Sequence, residues 1–122
     1  MNKLAGMSKF LLKDKSYLFA ISIIKFCREL QNQREYILSK QLLRSGTAIG
    51  ALVREAEFGQ SRADFSHKLS IALKEANETE YWLSLLREAY PIHSLSDLSH
   101  LQTECKELIA ILVAIVKKTK ST

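Results

Sequence analysis

The sequence has little proline and little glycine, with one proline and four glycines in 122 residues. The tight turns of an all-β domain need more of both, because these residues supply the backbone angles that short turns require. Hydrophobic residues make up 47% and charged residues 25%, as in a folded globular chain rather than a disordered one. The length suits one domain, and the composition favours an all-α fold.

Long apolar runs and a cysteine framework are also lacking. The apolar run 108–116 is half the roughly 18 residues of a membrane span, and lysines follow it. The N-terminus has no apolar segment of the length that a secretion signal needs. Two cysteines, Cys27 and Cys105, are too few for a disulfide framework and fit a reducing compartment. We therefore expect a cytoplasmic protein that makes no membrane contact.

Apolar residues recur at alternating steps of three and four, the spacing of one face of an α-helix. Three clean stripes and one less regular stripe follow this rule. The clean stripes are Leu38, Leu42, Ser45, Ile49, Leu52 and Ala56; Phe65, Leu69, Ala72, Ala76, Thr79, Leu83, Leu86 and Tyr90; and Leu98, Leu101, Cys105, Leu108, Leu112 and Ile115. The less regular one is Tyr17, Ile21, Ile24 and Cys27, helped by Leu18 and Leu30. Each stripe predicts a helix with one side toward a core.

The stripes predict helices over about 16–33, 36–58, 61–90 and 95–118. Short connections make neighbouring helices antiparallel. The prediction is an up-down-up-down four-helix bundle over 16–122. A basic lead-in, 1–15, precedes it, and the sequence predicts no structure for that segment.

Helix-end signals agree with these bounds. Ser61 with Asp64, and Ser94 with Asp97, have the spacing of a capping box with Asp in place of Glu. Gly59 stands where the second helix should end.

The second helix contains a patch of small residues, with Ser45, Gly46 and Gly50 among them. A glycine inside a helix costs about 1 kcal/mol relative to alanine, so two of them suggest a compensating gain. We expect close packing here, within the bundle or between subunits. A bend at the glycines is the alternative.

One pattern resembles the metal-binding motif of di-iron helical bundles. It consists of two carboxylate-x-x-His pairs, Asp64 with His67 and Asp97 with His100, with Glu29 and Glu55 as possible further ligands. Both pairs open their helices, and antiparallel helices place those openings about 30 Å apart or more, whereas a two-metal site needs about 4 Å. We therefore predict no metal, with both aspartates acting as helix caps.

Other catalytic chemistry is missing as well. The sequence has no phosphate-binding glycine loop and no nucleophile motif. Cys27 and Cys105 fall on apolar stripes, where cysteine acts as a small hydrophobic residue. We expect a protein that is not an enzyme and that has no cofactor.

A basic stripe runs along the second helix and is the most suggestive functional feature. We use this name for Lys40, Arg44, Thr47, Ala51, Arg54 and Phe58, which step by four and three along one face. Lys25 and Arg28 add cations on the first helix. Cations spaced along a surface can follow a phosphate backbone, so we predict nucleic-acid binding by Lys40, Arg44, Arg54, Lys25 and Arg28. The alternative is a solvated face with local salt bridges, such as Arg54 to Glu57.

Several stretches resemble the bacterial four-helix-bundle proteins encoded by intervening sequences within 23S ribosomal RNA genes. The stretches are LSKQLLRSGTAIGA at 38–51, EA at 55–56, QSRADF at 60–65, KLSIALKEA at 68–76 and ETEYWL at 78–83. Residues 15–24 resemble the family's first helix more loosely. Together they make up most of the chain.

The resemblance implies a left-handed bundle that assembles as a homopentamer around a central channel. It also implies similarity to the accessory proteins of diversity-generating retroelements, which are basic pentamers that associate with a reverse transcriptase and bind nucleic acid. Leu52 stands where the family usually has Asn, which puts in doubt any role of that Asn in assembly or ligand contact.

The family residues Arg44, Glu55 and Glu78 are present. Arg44 and Glu55 suit a structural ion pair between helices or subunits, which we favour, or a binding site. Ser45, Gly46, Gly50, Glu55, Glu78 and Trp82 are the predicted interface or structural residues.

Two functions follow from these observations. The first is a non-enzymatic homo-oligomer that binds structured RNA or DNA through basic helix faces. The second is a scaffold for a protein partner, such as a reverse transcriptase, with nucleic-acid binding incidental. Phe58, Tyr81 and Trp82 would then be candidates for an apolar docking patch.

Overall fold

The computed structural model describes the backbone of residues 2–90 and 95–120. It contains the helices α1 (Asn2–Asn32), α2 (Ile37–Glu57), α3 (Arg62–Ala89) and α4 (Leu95–Lys120). The last three agree with the sequence prediction to within two residues. Helix α1 begins far earlier than predicted and takes in most of the lead-in 1–15. Ser94 of the second predicted capping box lies outside the described residues.

Each helix packs against its neighbours in the chain, and α1 also packs against α4. Lys13, early in α1, pairs with Glu57 at the end of α2 at 3.3 Å. Cys27, late in α1, has its Sγ 3.4 Å from the carbonyl oxygen of Ser39 near the start of α2. These contacts make α1 and α2 antiparallel, and polar contacts join α2 to α3 and α3 to α4 in the same sense. The predicted all-α, up-down-up-down bundle is confirmed.

The core consists mainly of leucine, with isoleucine, alanine and two cysteines. On α3 and α4 the predicted stripes are buried, with only Phe65 and Tyr90 at the ends of the α3 stripe half-buried. On α2 the inner face is wider than predicted. We use this name for the buried residues Ser39, Leu42, Ser45, Gly46, Ile49, Val53 and Ala56.

The stripe predicted on α1 is only partly correct. Cys27 and Leu30 are buried as predicted, but Tyr17, Leu18 and Ile24 are exposed and Ile21 is half-buried. The core side of α1 is completed by Leu12, Phe19, Ile23 and Phe26. The reason is that α1 is apolar on more than one face, so a period of 3.6 residues fits two neighbouring stripes equally well. Packing against α2 and α4 selects the stripe that contains the two phenylalanines.

A tight connection joins α1 to α2. Arg34 has φ 66°, the left-handed conformation that ends many helices. The amide of Arg34 bonds the carbonyl oxygen of Gln31 at 2.9 Å, and that of Glu35 bonds Leu30 at 2.8 Å. The Glu35 carboxylate then accepts the amide of Leu38 at 2.8 Å. Polar groups at the end of α1 and at the start of α2 thereby find partners within the connection.

Candidate functional site

The small residues of α2 lie directly against α1. A Cβ added to Gly46 would stand 2.9 Å from both γ-carbons of Ile23, and one added to Gly50 would stand 3.2 Å from the carbonyl oxygen of Ser16. Helix α2 continues through both glycines without a break. The patch therefore serves close α1–α2 packing inside one chain rather than a bend.

Two serines of the inner face differ in the hydrogen bonding of their hydroxyl groups. Ser45 is fully buried, and its Oγ accepts a hydrogen bond from Thr79 Oγ1 on α3 at 2.8 Å. Ser39 is equally buried, but its Oγ has no partner among the described residues. The predicted structural residue Ser45 thus links α2 to α3 through a polar contact inside the core.

Arg44 belongs to a cluster with two carboxylates of α3. Its Nη1 lies 3.1 Å from one carboxylate oxygen of Glu75, and its Nη2 pairs with Glu78. Glu78 also accepts a hydrogen bond from Trp82 Nε1 at 3.0 Å. The guanidinium and the indole together lower the pKa of Glu78, while Glu78 raises the pKa of Arg44. A phosphate would have to compete with both carboxylates for Arg44, whose nucleic-acid contact stays a prediction.

Glu55 joins α2 to α3 through a different partner. Its Oε1 lies 2.9 Å from Lys68 Nζ, and this bond raises the pKa of Lys68. Arg44 and Glu55 therefore each bridge α2 to α3 without pairing with one another. The suggested Arg54–Glu57 salt bridge does not form, because Glu57 pairs with Lys13 of α1.

Arg54 lies instead over an aromatic ring. Its guanidinium carbon is 5.9 Å from the centroid of the Tyr17 ring on α1, within the range of a cation–π contact. The pair borders an open groove of about 740 Å³ between α1 and α2. Phe58, at the end of the basic stripe, also lines this groove and is 78% exposed.

Three of the predicted nucleic-acid residues lie near the α1–α2 connection. Lys25 and Arg28 of α1 and Lys40 of α2 are exposed and form no ion pair with the described residues. The cations of the basic stripe are therefore not equally available to a phosphate backbone. Lys40 is unpaired, Arg44 is bound to carboxylates and Arg54 is stacked on tyrosine, although all three occupy equivalent positions in the sequence pattern.

The described groups that bear on catalysis and metal binding are the two cysteines and the acidic residues. Cys27 and Cys105 are buried, as predicted, and burial raises the pKa of each thiol to about 12. At neutral pH such thiols are protonated and unreactive. Within the described part of the chain, no three His, Cys, Asp or Glu side chains are grouped to hold a metal. Ser61 caps the start of α3, since its Oγ accepts a hydrogen bond from the backbone amide of Asp64 at 3.0 Å. The Asp64 carboxylate in turn accepts from the amide of Gln60 at 3.3 Å.

Three apolar residues that the periodicity assigned to the core are exposed on α1: Tyr17, Leu18 and Ile24, which we call the outward apolar face of α1. The available signal was the excess of apolar residues in 16–30, more than a single buried face needs. Such an excess indicates a second contact surface. None of the helices described by the structure is long and apolar enough to cross a membrane.

The chain resembles known proteins over most of its length. The model of the 23S rRNA-intervening sequence protein family matches residues 8–114. A crystal structure of a protein of unknown function, from the S23 ribosomal protein family of Bacteroides thetaiotaomicron, is 48% identical, with a TM-score of 0.85. That alignment covers 90% of this chain and 98% of the other. The comparison with curated proteins finds no match. With its sequence and its helical bundle both in agreement, the chain belongs to the 23S rRNA-intervening sequence protein family.

Proposed function

We propose that the protein is a non-enzymatic homo-oligomer that binds structured RNA or DNA through basic helix faces. The observation that carries this proposal is the exposure of Lys25, Arg28 and Lys40 without ion-pair partners among the described residues. Unpaired cations bind phosphates with release of counterions, and this term supplies most of the affinity of sequence-independent binders. Arg54 is a further candidate, and Arg44 contributes where phosphate replaces a carboxylate.

Self-association is supported by the apolar surface between α1 and α2. Tyr17 of the outward apolar face of α1 lines the groove that Phe58 and Arg54 border. Contiguous exposed apolar residues mark interaction surfaces in soluble proteins. An assembly multiplies a few weak phosphate contacts per chain into tight binding. The number of five subunits rests on the family resemblance.

A second candidate function is a scaffold for a protein partner such as a reverse transcriptase, as the resemblance to retroelement accessory proteins suggests. Two exposed aromatic side chains favour it, Phe58 just after α2 at 78% and Tyr81 on α3 at 56%. Aromatic residues are enriched at the centres of protein interfaces. In this case nucleic acid would not compete with the partner for the surface.

The test is fluorescence anisotropy with a labelled hairpin RNA and a duplex DNA, alongside light scattering for the particle's mass. We expect micromolar or tighter binding at about 50 mM salt and at least tenfold weaker binding at about 200 mM. We also expect a particle five times the mass of one chain. Absence of binding at the lower salt would refute nucleic-acid binding, and a pull-down with the whole oligomer would then test the scaffold.

A matched pair of variants locates the contacts. Arg28→Gln with Lys40→Gln removes two unpaired cations near the α1–α2 connection. Lys74→Gln with Lys106→Gln removes the same charge from exposed positions of α3 and α4. The first variant should lower the slope of log affinity against log salt by about two, and the second should leave it nearly unchanged. Equal slopes in both variants would show that only net charge matters.

A further inference from the structure

A cleft opens at the end of the bundle where α3 begins and α4 ends. Its volume is about 510 Å³. It lies at the opposite end of α3 from the α1–α2 connection, and it includes none of Lys40, Arg44, Arg54, Lys25 and Arg28. The side chains that matter for its chemistry are Arg62, Ser66, His67, Ser70, Thr119 and Lys120.

Hydroxyl groups hold the two walls of this cleft together. Thr119 Oγ1 of α4 lies 3.0 Å from Ser66 Oγ of α3. Ser70 Oγ donates to the carbonyl oxygen of Ser66 at 2.9 Å, one turn further along α3. Thr119 Oγ1 also lies 3.0 Å from the carbonyl oxygen of Val116. The hydroxyl groups of this wall therefore serve to hold α3 and α4 together, and the charge for an anion has to come from the rim.

The rim of the cleft is basic. Arg62 and Lys120 are exposed and make no ion pair with the described residues. In contrast to the α1–α2 groove, where Glu55 neutralises Lys68, no carboxylate is among the described residues that line this cleft. Asp64, in the first turn of α3, has Oδ2 3.3 Å from the amide of Gln60, on the connection from α2. Like charges without a counter-charge repel one another, and a bound anion relieves that repulsion.

We propose that this cleft binds a phosphate group of a nucleic-acid backbone, in addition to the contacts made near the α1–α2 connection. The inference rests on the proposed nucleic-acid binding and assigns a second place for it. The guanidinium of Arg62 has the fork geometry that holds two phosphate oxygens at once, and Lys120 adds a mobile point charge. Because the contacts are to phosphate, this site confers affinity and orientation without base preference.

The experiment is an amide NMR titration of the ¹⁵N-labelled full-length protein, run beside the anisotropy measurement. One arm adds the hairpin RNA, and the other adds inorganic phosphate. We expect RNA to shift the amide resonances of 62–70 and 117–120, and inorganic phosphate at millimolar concentration to shift the same resonances less. Arg62→Gln with Lys120→Gln should weaken RNA binding about tenfold and lower the salt slope by about two. Lys74→Gln with Lys106→Gln is again the control of equal charge.

Each outcome separates the cleft from the proposed function. RNA binding with no shift in these resonances, and with the cleft variant equal to the control, overturns the cleft and leaves the function standing. Shifts with inorganic phosphate alone, and no RNA binding, keep a phosphate site but refute a nucleic-acid source. No shift in either arm and no anisotropy change overturns both.

Discussion

The inner face of α2 and its basic stripe share one helix and one period, yet they differ in how much each position is constrained. On the inner face, Gly46 leaves no space for even one carbon, because Ile23 of α1 would be 2.9 Å away. On the basic stripe, Ala51 and Arg54 border an open groove of about 740 Å³. The inner face is therefore specified by volume. On the basic stripe the residue type depends instead on the group that each side chain contacts, either in this chain or in a binding partner.

The sharpest test of this contrast places the same side chain on both faces. Gly46→Val should lower the free energy of unfolding by about 2–3 kcal/mol, because the added carbons overlap the branched γ-carbons of Ile23. Ala51→Val should change it by about 0.5 kcal/mol or less, which is the difference in helix propensity. Urea denaturation at one protein concentration measures both. Similar losses in the two variants would contradict the assignment of the faces.

The next contrast lies within the inner face, between its two buried serines. Ser45→Ala should destabilise the fold by about 1 kcal/mol, since it removes the hydrogen bond from Thr79. Ser39→Ala should leave stability unchanged or raise it by up to about 1 kcal/mol, because a buried hydroxyl without a partner is removed. Both changes give the same helix propensity, so thermal unfolding of the pair isolates the hydrogen bond. A loss in Ser39→Ala would reveal a partner for its hydroxyl.

The same contrast explains what could be predicted from the sequence. The bounds of α2, α3 and α4 and the buried stripes of α3 and α4 follow from periodicity, because those two stripes continue along most of each helix. The buried stripe of α1 did not follow, since Tyr17 and Ile24 fit the helical period as well as Phe19 and Ile23 do.

Less of the candidate site than of the fold could be predicted from the sequence. Arg44, Arg54 and Lys40 are indistinguishable by spacing, and only the fold shows that Glu75 and Glu78 reach the first and Tyr17 the second. Ion pairs between residues far apart in the sequence cannot be predicted from the local spacing of charges. The cleft beside Arg62 and Lys120 likewise joins residues almost sixty positions apart.

The ion cluster of Arg44, Glu75 and Glu78 makes the stability of the fold depend on pH. The pKa of Glu78 is lowered in the folded protein, so its pairing stabilises the fold above the ordinary glutamate pKa and is lost as pH falls through the lowered value. Glu78→Gln should therefore lose less stability than the unmodified protein between pH 7 and about pH 3. The difference should be about 1 kcal/mol or less, because the pair is partly exposed.

Urea denaturation at the two pH values measures this difference. Glu88→Gln, at an exposed position of the same helix, is the control and should keep the full acid sensitivity. Glu35, whose pKa is also lowered, through its hydrogen bond with Tyr90, retains its own share in every variant. Identical acid sensitivity of Glu78→Gln and the unmodified protein would show that the cluster adds nothing to stability.

The smallest expected effect is at the groove itself. Arg54→Gln should lower stability by about 0.5 kcal/mol, the usual strength of an exposed cation–π contact. The same change in a Tyr17→Leu background should cost less, and the difference between the two values is the coupling of the pair. Additive losses would show that the contact at 5.9 Å contributes no stability.

Repeating the cycle at several protein concentrations tests whether the groove is covered in an assembly, because desolvation strengthens cation–π contacts. A coupling that rises with concentration would mean that another subunit covers the groove, whereas a constant coupling would leave it open to solvent.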